Sequence, residues 1–352
     1  MRTFSSLGLF TLLILLAAAP ALPAAEPAAE PAAPAAAARI ELKRDDAQGT
    51  LQVLLDGREA FVYQYGHVDM PHLYPVQSPT GKSLTIQKTD PYPHHRSVWF
   101  GDDVELAGHR RASFYAPLYT QVNKQDPQSP YRDRIRHVKF LAEEITDGQA
   151  NLETQLRWEA DLGEVPVMDE LRRIRVVPLG GGQYFLDCTF TVTAAYGDVT
   201  FRSDAVHYAW PYVRMHPQFA VERARIEKGA GAGGKDKAVT EQGTGTITNS
   251  EGAVNGAATC MKVARWVDYS ATVDGTSEGL AIFSDPQQPP PKFFTRDYGT
   301  FGPRRPDDQS GKPFVLGKGE SLRQRVGLLV HTGDVTGGGV SERYAQYAAG
   351  RL

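Results

Sequence analysis

The stretch Gln183-Tyr184-Phe185-Leu186-Asp187-Cys188-Thr189-Phe190-Thr191-Val192-Thr193 decides the fold class. Its even positions are apolar, whereas the odd positions after Phe185 are polar. Successive side chains of a β-strand point to opposite faces, so strict alternation over this length is typical of an antiparallel strand with one face on a core. The sequence therefore predicts a long, half-buried strand here.

Other parts of the sequence show the same pattern of strand-like runs joined by tight turns. A triple-glycine turn joins it to an apolar run at Leu171–Val177, and further strand-like runs flank three Asp-Gly pairs: Asp56-Gly57, Asp147-Gly148 and Asp274-Gly275. Asp-Gly is a strong signal for a two-residue β-hairpin turn, since both residues tolerate positive φ. Helical periodicity is confined to Val340–Ala349, and no repeated βαβ pattern appears.

We therefore predict an all-β fold: a large antiparallel β-sandwich, of either the standard or the supersandwich-like kind, with a short C-terminal helix. Three long stretches rich in Pro, His, Arg and Tyr are predicted to be functional loops, Gly66–Ser83, Asp90–Asp133 and Pro286–Lys318. Loops of such length in a compact domain are usually functional or disordered, and their aromatic content favours function.

The first 25 residues are typical of a cleavable signal peptide: a short basic start, an apolar run at Leu7–Ala19, then small residues. Residues 26–38 are almost pure Ala, Pro and Glu, which indicates a flexible linker. Residues 39–352 are predicted to form one β-sandwich domain. The expected location is periplasmic or secreted, with no transmembrane segment after signal cleavage, because no other apolar stretch is long enough.

Composition excludes one class of partner and leaves one covalent feature open. The formal net charge of −3 gives no electrostatic footprint for nucleic acid.

Cys188 and Cys260 are the only cysteines. In an oxidising compartment they could form a disulfide, or they could be two separate thiols.

The densest group of chemically useful side chains is Tyr92–Asp103. His94 and His95 are candidate proton carriers, because histidine titrates near neutral pH. Arg96 could hold an anionic oxygen. Trp99 offers a face on which a sugar ring could stack, and Asp102 is a further binding candidate. The alternative is structural: one histidine bonded to a buried carbonyl and the other exposed.

Arg296-Asp297-Tyr298 forms a second candidate group. Tyr298 could act as an acid or oxyanion donor in an environment set by its two neighbours, or the three could stabilise a loop through an ion pair. No cofactor is certain. A divalent metal is possible, held by His94 or His95 with His207 and Asp102, a set that sequence alone cannot place in space. Tyr212–His216 is interpreted as packing.

Several blocks, in order, resemble a known family: Tyr74–Lys82, Pro93–Gly101, Ile247–Gly252, Ala264–Ser270 and Thr295–Gly302. They resemble the PmoA-like family, a domain of unknown function often labelled "methane oxygenase". The resemblance implies a β-sandwich and a pocket that includes His94, His95 and Arg96. Tyr74, in the first of these blocks, and His207, outside them, are further binding candidates. This chain has Pro91-Tyr92 where the family usually has Asp-His. A membrane-bound copper oxygenase would need transmembrane helices, so the sequence does not predict methane oxidation.

The leading hypothesis is an exported carbohydrate-active enzyme, a hydrolase, lyase or epimerase, that uses general acid/base chemistry on a small carbohydrate or glycan. In it His94 or His95 transfers the proton, Arg96 and Arg296 stabilise negative charge, and Tyr298 assists. A noncatalytic glycan-binding module and a structural envelope protein are the alternatives. The substrate class rests on analogy with other β-sandwiches.

Overall fold

The computed structural model describes residues 38–89, 92–117, 132–202, 208–227, 229, 237–305 and 311–352. The predicted signal peptide and all but the last residue of the predicted linker lie outside these ranges, as does His207. Ala37–Leu352 forms one compact unit. No helix among the described residues is long and apolar enough to cross a membrane.

One large antiparallel sheet has nine strands within the described ranges. In spatial order these are β1 (Ile40–Asp45), β2 (Thr50–Leu55), β3 (Arg58–Gln64), β4 (His72–Val76), β5 (Val98–Trp99), β13 (Tyr212–Arg214), β21 (Thr300–Pro303), β20 (Lys292–Arg296) and β17 (Lys262–Val263). From β1 to β5, neighbouring strands are also consecutive in sequence. The next strand in space, β13, is distant from β5 in sequence. Residues far apart along the chain therefore meet in the middle of this sheet.

A second antiparallel sheet has eight strands in the described part of the chain. These are β16 (Gly245–Asn249), β18 (Trp266–Val273), β19 (Thr276–Ser284), β23 (Ser321–Thr332), β11 (Gln183–Thr193), β10 (Val165–Gly180), β9 (Gln149–Ala160) and β8 (Arg134–Thr146). The alternating stretch of the sequence is thus a central strand, β11, between β10 and β23.

Smaller elements complete the described structure. A four-stranded sheet has the order β22 (Phe314–Leu316), β12 (Val199–Phe201), β6 (Asp103–Leu106) and β7 (Arg111–Ser113), and a two-stranded one pairs β14 (Glu222–Glu227) with β15 (Lys237–Gln242). The helices are α1 (Asn255–Thr259) and α2 (Val340–Ala348), with single 3₁₀ turns at Asp161–Gly163 and Pro217–Phe219.

The two large sheets bury their facing sides in one continuous core. Phe61 of the first sheet lies 6.3 Å from Tyr184 of the second, and Phe100 stacks on Phe190 at 4.5 Å between ring centroids. Helix α2 covers the outer face of the second sheet, where Phe185 and Tyr347 pack in a smaller apolar cluster. Burial of apolar side chains from both sheets is the main stabilisation of this architecture. The β-sandwich with a short C-terminal helix is confirmed.

The Asp-Gly hairpin predictions are confirmed by the backbone. All three pairs have positive φ at both residues, for example 51° at Asp56 and 76° at Gly57. This matches the geometry that two-residue hairpins require.

The prediction of three irregular loops is wrong in detail. Each of those stretches contains short strands: β4 in the first, β5 to β7 in the second and β20 to β22 in the third. Pro, His and Arg lower local strand propensity, but pairing with neighbouring strands overrides that preference.

The possible disulfide does not form. Cys188 is buried on the inner face of β11 and Cys260 follows α1, and both are free thiols. Cys188 is enclosed by apolar core residues, and Cys260 Sγ accepts a hydrogen bond from Arg296 at 2.8 Å. Sequence spacing could not place the two sulfurs in space.

Candidate functional site

Aromatic and basic side chains converge where β5, β13 and the β20–β21 turn meet. We call this group the His95 cluster. Its members are Tyr92, His94, His95, Trp99, Tyr115, Tyr208, Tyr212, Arg214 and Tyr298. His95, Trp99, Tyr212 and Arg214 are buried, whereas the other members are only partly buried. The cluster therefore has a buried floor and a more accessible rim.

Strand register explains the floor. Tyr212 of β13 pairs with Trp99 of β5, and their rings stack with centroids 4.7 Å apart. Two residues further along β13, Arg214 pairs with Thr300 of β21. The β20–β21 turn consequently brings Tyr298 beside Arg214, whose guanidinium carbon lies 4.9 Å from the Tyr298 ring.

His95 lies at the centre of the cluster and is only partly satisfied. Its ring stacks on Tyr92 at 4.8 Å, and its Nε2 lies 3.1 Å from the Tyr115 hydroxyl. Its Nδ1 is buried without a hydrogen-bond partner among the described residues. Burial, together with nearby His94 and Arg214, lowers the pKa of His95 well below its usual value. His95 is therefore neutral at pH 7.

His94, at the rim of the cluster, is also neutral at pH 7. Burial and the charge of Arg96 lower the pKa of His94 to about 4. Its ring contacts those of His95 and Tyr115, with centroids 4.6 and 5.3 Å away. A neutral imidazole has a lone pair that can accept a proton, so both histidines are in the protonation state of a base and not of a cationic acid.

Arg214 supplies positive charge beside these bases. Its guanidinium donates to the Tyr298 backbone carbonyl and also lies 5.9 Å from the Tyr92 ring. Burial lowers the pKa of Arg214, although phenolic neighbours oppose the shift. Its Nε and the Trp99 indole N–H lack partners among the described residues. Two buried donors and the His95 Nδ1 are thus left without a hydrogen-bond partner among the described residues.

One carboxylate borders the rim. Asp103 Oδ2 accepts hydrogen bonds from the Tyr208 hydroxyl at 3.0 Å and from Arg111. The Tyr208 ring in turn lies 5.1 Å from Tyr115. Burial raises the pKa of Tyr115, so its hydroxyl stays protonated and can donate a hydrogen bond.

Two residues of the predicted Tyr92–Asp103 group serve the fold instead. Arg96 pairs with Asp69 and donates to the Pro93 and His95 carbonyls, which fixes the loop that carries the histidines. Asp102 is fully buried and accepts from the Trp210 indole at 3.0 Å. Burial raises the pKa of Asp102 to about 6. Adjacent residues leave a strand in opposite directions, which separates Asp102 from the cluster.

The three residues of the second candidate group, Arg296-Asp297-Tyr298, do not all belong to the cluster. Tyr298 stacks on Tyr92 at 4.9 Å and belongs to the cluster. Arg296 instead lies over the Phe294 ring and donates to Cys260, and Asp297 Oδ1 accepts from the Gly256 N–H at 2.7 Å. Arg296 and Asp297 therefore bond to the α1 region, and the catalytic roles expected for them stay predictions. Both stabilise the packing of α1.

The remaining binding candidates are not placed in the cluster. Tyr74 lies on β4, and its carbonyl accepts from the Gln64 side chain. Among the described residues its ring makes no aromatic contact with the cluster. His207 lies outside the described residues, so the metal set that included it stays a prediction.

Sequence reasoning assigned no role to Tyr92, Tyr115 or Tyr208, and interpreted Tyr212–His216, which includes Arg214, as packing. The alternation Tyr212-x-Arg214 was a usable signal, because both side chains leave the same face of a short strand. Their partners could not be found, since Trp99, Tyr115 and Tyr298 reach them through pairings that are distant in sequence.

Comparison with solved structures finds only weak similarity. An α-galactosidase from Geobacillus stearothermophilus, solved in complex with raffinose, is 8% identical over 84% of this chain and 41% of its own, with a TM-score of 0.39. An α-galactosidase from Lactobacillus brevis is 9% identical over 83% and 39% of the two chains, with a TM-score of 0.35. This chain thus spans about two fifths of their length.

A galactose mutarotase-related enzyme from Lactobacillus acidophilus is 8% identical over 83% of this chain and 97% of its own, with a TM-score of 0.31. These scores are too low to carry an argument about function. Sequence comparison with curated proteins finds no match. The predicted PmoA-like resemblance is wrong: residues 50–345 match the model of a different family, a family of unknown function (DUF6807), and this chain belongs to that family.

Proposed function

We propose that the protein is an exported carbohydrate-active enzyme that moves a proton next to a sugar carbonyl, as an epimerase or lyase does. The observation that carries this proposal is the buried His95 ring, bonded at Nε2 to Tyr115 and unpartnered at Nδ1, beside the Arg214 guanidinium. A neutral base next to a fixed cation fits proton abstraction that leaves negative charge on oxygen.

The rim supports binding of a sugar ring. Tyr92 and Tyr298 stack on one another, and the Tyr115 and Tyr208 hydroxyls lie close by. Aromatic faces pack against the apolar face of a pyranose, while hydroxyl groups and indole N–H groups bond its oxygens. The cluster offers both kinds of contact.

The acid–base step follows from the His95–Tyr115 pair. When His95 keeps its proton on Nε2 and donates it to the Tyr115 oxygen, Nδ1 presents a lone pair that accepts a proton from a C–H beside a carbonyl. The electrons of that C–H bond pass to the carbonyl oxygen, and Arg214 stabilises the resulting enolate. His95 then releases its proton to solvent. An epimerase protonates the opposite face of the enolate from a second acid, whereas a lyase expels a leaving group from the next carbon.

Hydrolysis is less well supported by these residues. Most glycosidases use two carboxyl groups, one on each side of the glycosidic bond. Among the described residues, Asp103 borders the cluster, whereas Asp102 and Asp297 are bonded elsewhere. This arrangement favours proton transfer by histidine over hydrolysis.

The test is solvent exchange. Purified mature protein is incubated in D₂O with a library of aldoses, ketoses and uronic acids, and deuterium incorporation at carbon is followed by NMR. We expect incorporation for at least one sugar, and a loss of about 10²–10⁴-fold in rate for His95→Ala. His109→Ala is the control, because His109 is exposed in the turn after β6.

Three results would contradict the proposal. If His95→Ala and His109→Ala exchange at the same rate, His95 is not the base. If no sugar exchanges but one binds with an affinity that is flat from pH 5 to 8, the cluster is a noncatalytic glycan-binding site. If the protein neither binds nor exchanges any sugar, the hypothesis that remains is a structural protein.

A further inference from the structure

A second group of polar side chains lies outside the His95 cluster, in the loop between β3 and β4. The loop reads Gly66-His67-Val68-Asp69-Met70-Pro71-His72, a His-x-Asp-x-x-His pattern. One ligand-type atom from each of His67, Asp69 and His72 lies within 4.8 Å of the other two. The described residues contain one such group.

His72 is oriented as a metal ligand is. It is fully buried, and its Nδ1 lies 3.0 Å from the Met70 carbonyl, which fixes the proton on Nδ1. A ligating histidine usually donates its other ring N–H to a carbonyl or carboxylate in this way. The lone pair on Nε2 then faces Gln87 Oε1 at 2.7 Å, so two acceptors oppose each other. A cation between such acceptors resolves the conflict; a turned Gln87 amide also does so, by donating a hydrogen bond.

Asp69 is held as a supported carboxylate ligand. It is 2% exposed, and Arg96 bonds its Oδ2. Its Oδ1 accepts from the Met70 N–H at 2.7 Å and contacts His67 Nδ1. Hydrogen bonds of this kind orient ligating carboxylates. The His67 side chain is 21% exposed, which gives an ion a path from solvent.

One contact opposes a cation. Lys88 Nζ lies 3.2 Å from His67 Nε2. Lys88 is exposed, so it can move away, but its charge repels a metal ion and its hydrogen bond competes for His67. Because Lys88 competes with a metal ion for His67, removal of the Lys88 charge should increase metal affinity.

We propose that His67, Asp69 and His72 form a site for a first-row divalent metal, Zn²⁺ being the ion that two imidazoles and one carboxylate suit best. Three protein ligands leave a fourth tetrahedral position open. The site does not depend on the function proposed for the His95 cluster, although Arg96 joins Asp69 to the loop that carries His95.

The experiment is a metal titration of the full mature chain. Protein stripped with a chelator is titrated with Zn²⁺ against a chromophoric competitor, and Co²⁺ is added in parallel to record its visible spectrum. We expect one equivalent of bound Zn²⁺, a tetrahedral Co²⁺ spectrum, and a loss of affinity of about 100-fold or more for His67→Ala, which removes a ligand outright. Lys88→Gln should bind more tightly than wild type.

His109→Ala is the control and should keep wild-type affinity, with circular dichroism confirming the fold of each variant. His67 is in a loop and partly exposed, so its removal leaves the buried His72 and Asp69 in place. Sub-stoichiometric binding by wild type, equal affinities for His67→Ala and His109→Ala, or no gain for Lys88→Gln would each overturn the proposal. Those outcomes would leave a hydrogen-bonded network with a turned Gln87 amide.

Discussion

Two buried histidines of this protein, His331 and His95, have pKa values shifted in opposite directions. In His331, Nε2 lies 2.8 Å from Asp268 Oδ1 and Nδ1 lies 3.1 Å from the Thr332 carbonyl. Burial lowers the pKa of His331, but the facing Asp268 carboxylate outweighs burial and the pKa is raised. In His95, one nitrogen is unpartnered, no carboxylate compensates burial, and the pKa is lowered.

The difference separates residues that stabilise the fold from residues that are free to act. Around His331, the Ser270 hydroxyl satisfies the second Asp268 oxygen at 2.8 Å. A fully satisfied polar network makes the native arrangement unique. A partly satisfied one costs stability, and such costs concentrate at functional sites. The predictions below test that distinction.

The largest expected effect comes from breaking the satisfied network. Asp268→Asn should lower the free energy of unfolding by about 3 kcal/mol, because it leaves a buried imidazole without its charge partner. The measurement is urea unfolding at pH 6. The raised pKa places this stabilisation below pH 6.5, and it is lost as pH rises through the folded-state pKa. The deficit should therefore shrink at higher pH.

Glu153→Gln is the matched control, since it breaks the exposed Arg173–Glu153 pair, where the arginine side chain is 58% exposed. An exposed pair is worth about 1 kcal/mol or less. If both variants lost the same stability, the buried network would have no special role.

The next effect concerns the rim of the His95 cluster. Tyr298→Ala and Tyr92→Ala should each weaken binding of the sugar identified by the exchange screen by roughly 10–100-fold, about 1–3 kcal/mol, through loss of a buried stacking surface. Calorimetric titration measures it. Tyr74→Ala is the control, because Tyr74 is a partly buried tyrosine on β4 without an aromatic contact to the cluster. Equal losses in all three variants would argue against the rim as the binding surface.

A smaller effect appears as a pH slope. The pKa of His94 is lowered to about 4 in the folded protein, so between pH 6.5 and 4 the unfolded chain binds the extra proton. Stability should fall as the solution is acidified through this window. His94→Ala should reduce that slope by up to one proton, about 1.4 kcal/mol per pH unit. Unfolding at pH 4.5, 5.5 and 6.5 measures it, with His109→Ala expected to keep the wild-type slope.

The sequence predicted features that local chemistry determines. Alternation of apolar residues along Tyr184–Val192 placed that strand with one face in the core, and Asp-Gly pairs located three turns. The local density of His and Trp also led to His94, His95 and Trp99, since a short loop and the adjoining strand β5 carry all three.

The sequence did not predict which arginine enters the site. Arg96 and Arg296 stand next to good candidates in sequence, yet strand geometry directs one to Asp69 and the other to Cys260. Arg214 reaches the cluster because β13 pairs with β5 and β21, strands distant in sequence. Register between distant strands depends on the whole core, which local patterns do not encode.

The smallest effect, and the sharpest test of the comparison, is His95→Phe. Phenylalanine keeps the ring contacts with Tyr92 and Trp99. It loses a hydrogen bond to Tyr115 worth about 1 kcal/mol, but it also removes a buried Nδ1 whose unmet hydrogen bond costs about 1–3 kcal/mol. The free energy of unfolding should therefore stay the same or rise by up to about 2 kcal/mol, while deuterium exchange into the sugar is lost. His331→Phe, which leaves the Asp268 carboxylate buried without its partner, should cost about 3–5 kcal/mol in the same urea experiment. If His95→Phe proved as costly as His331→Phe, His95 would be part of the fold's stabilising network, and its unpartnered nitrogen would no longer mark a site.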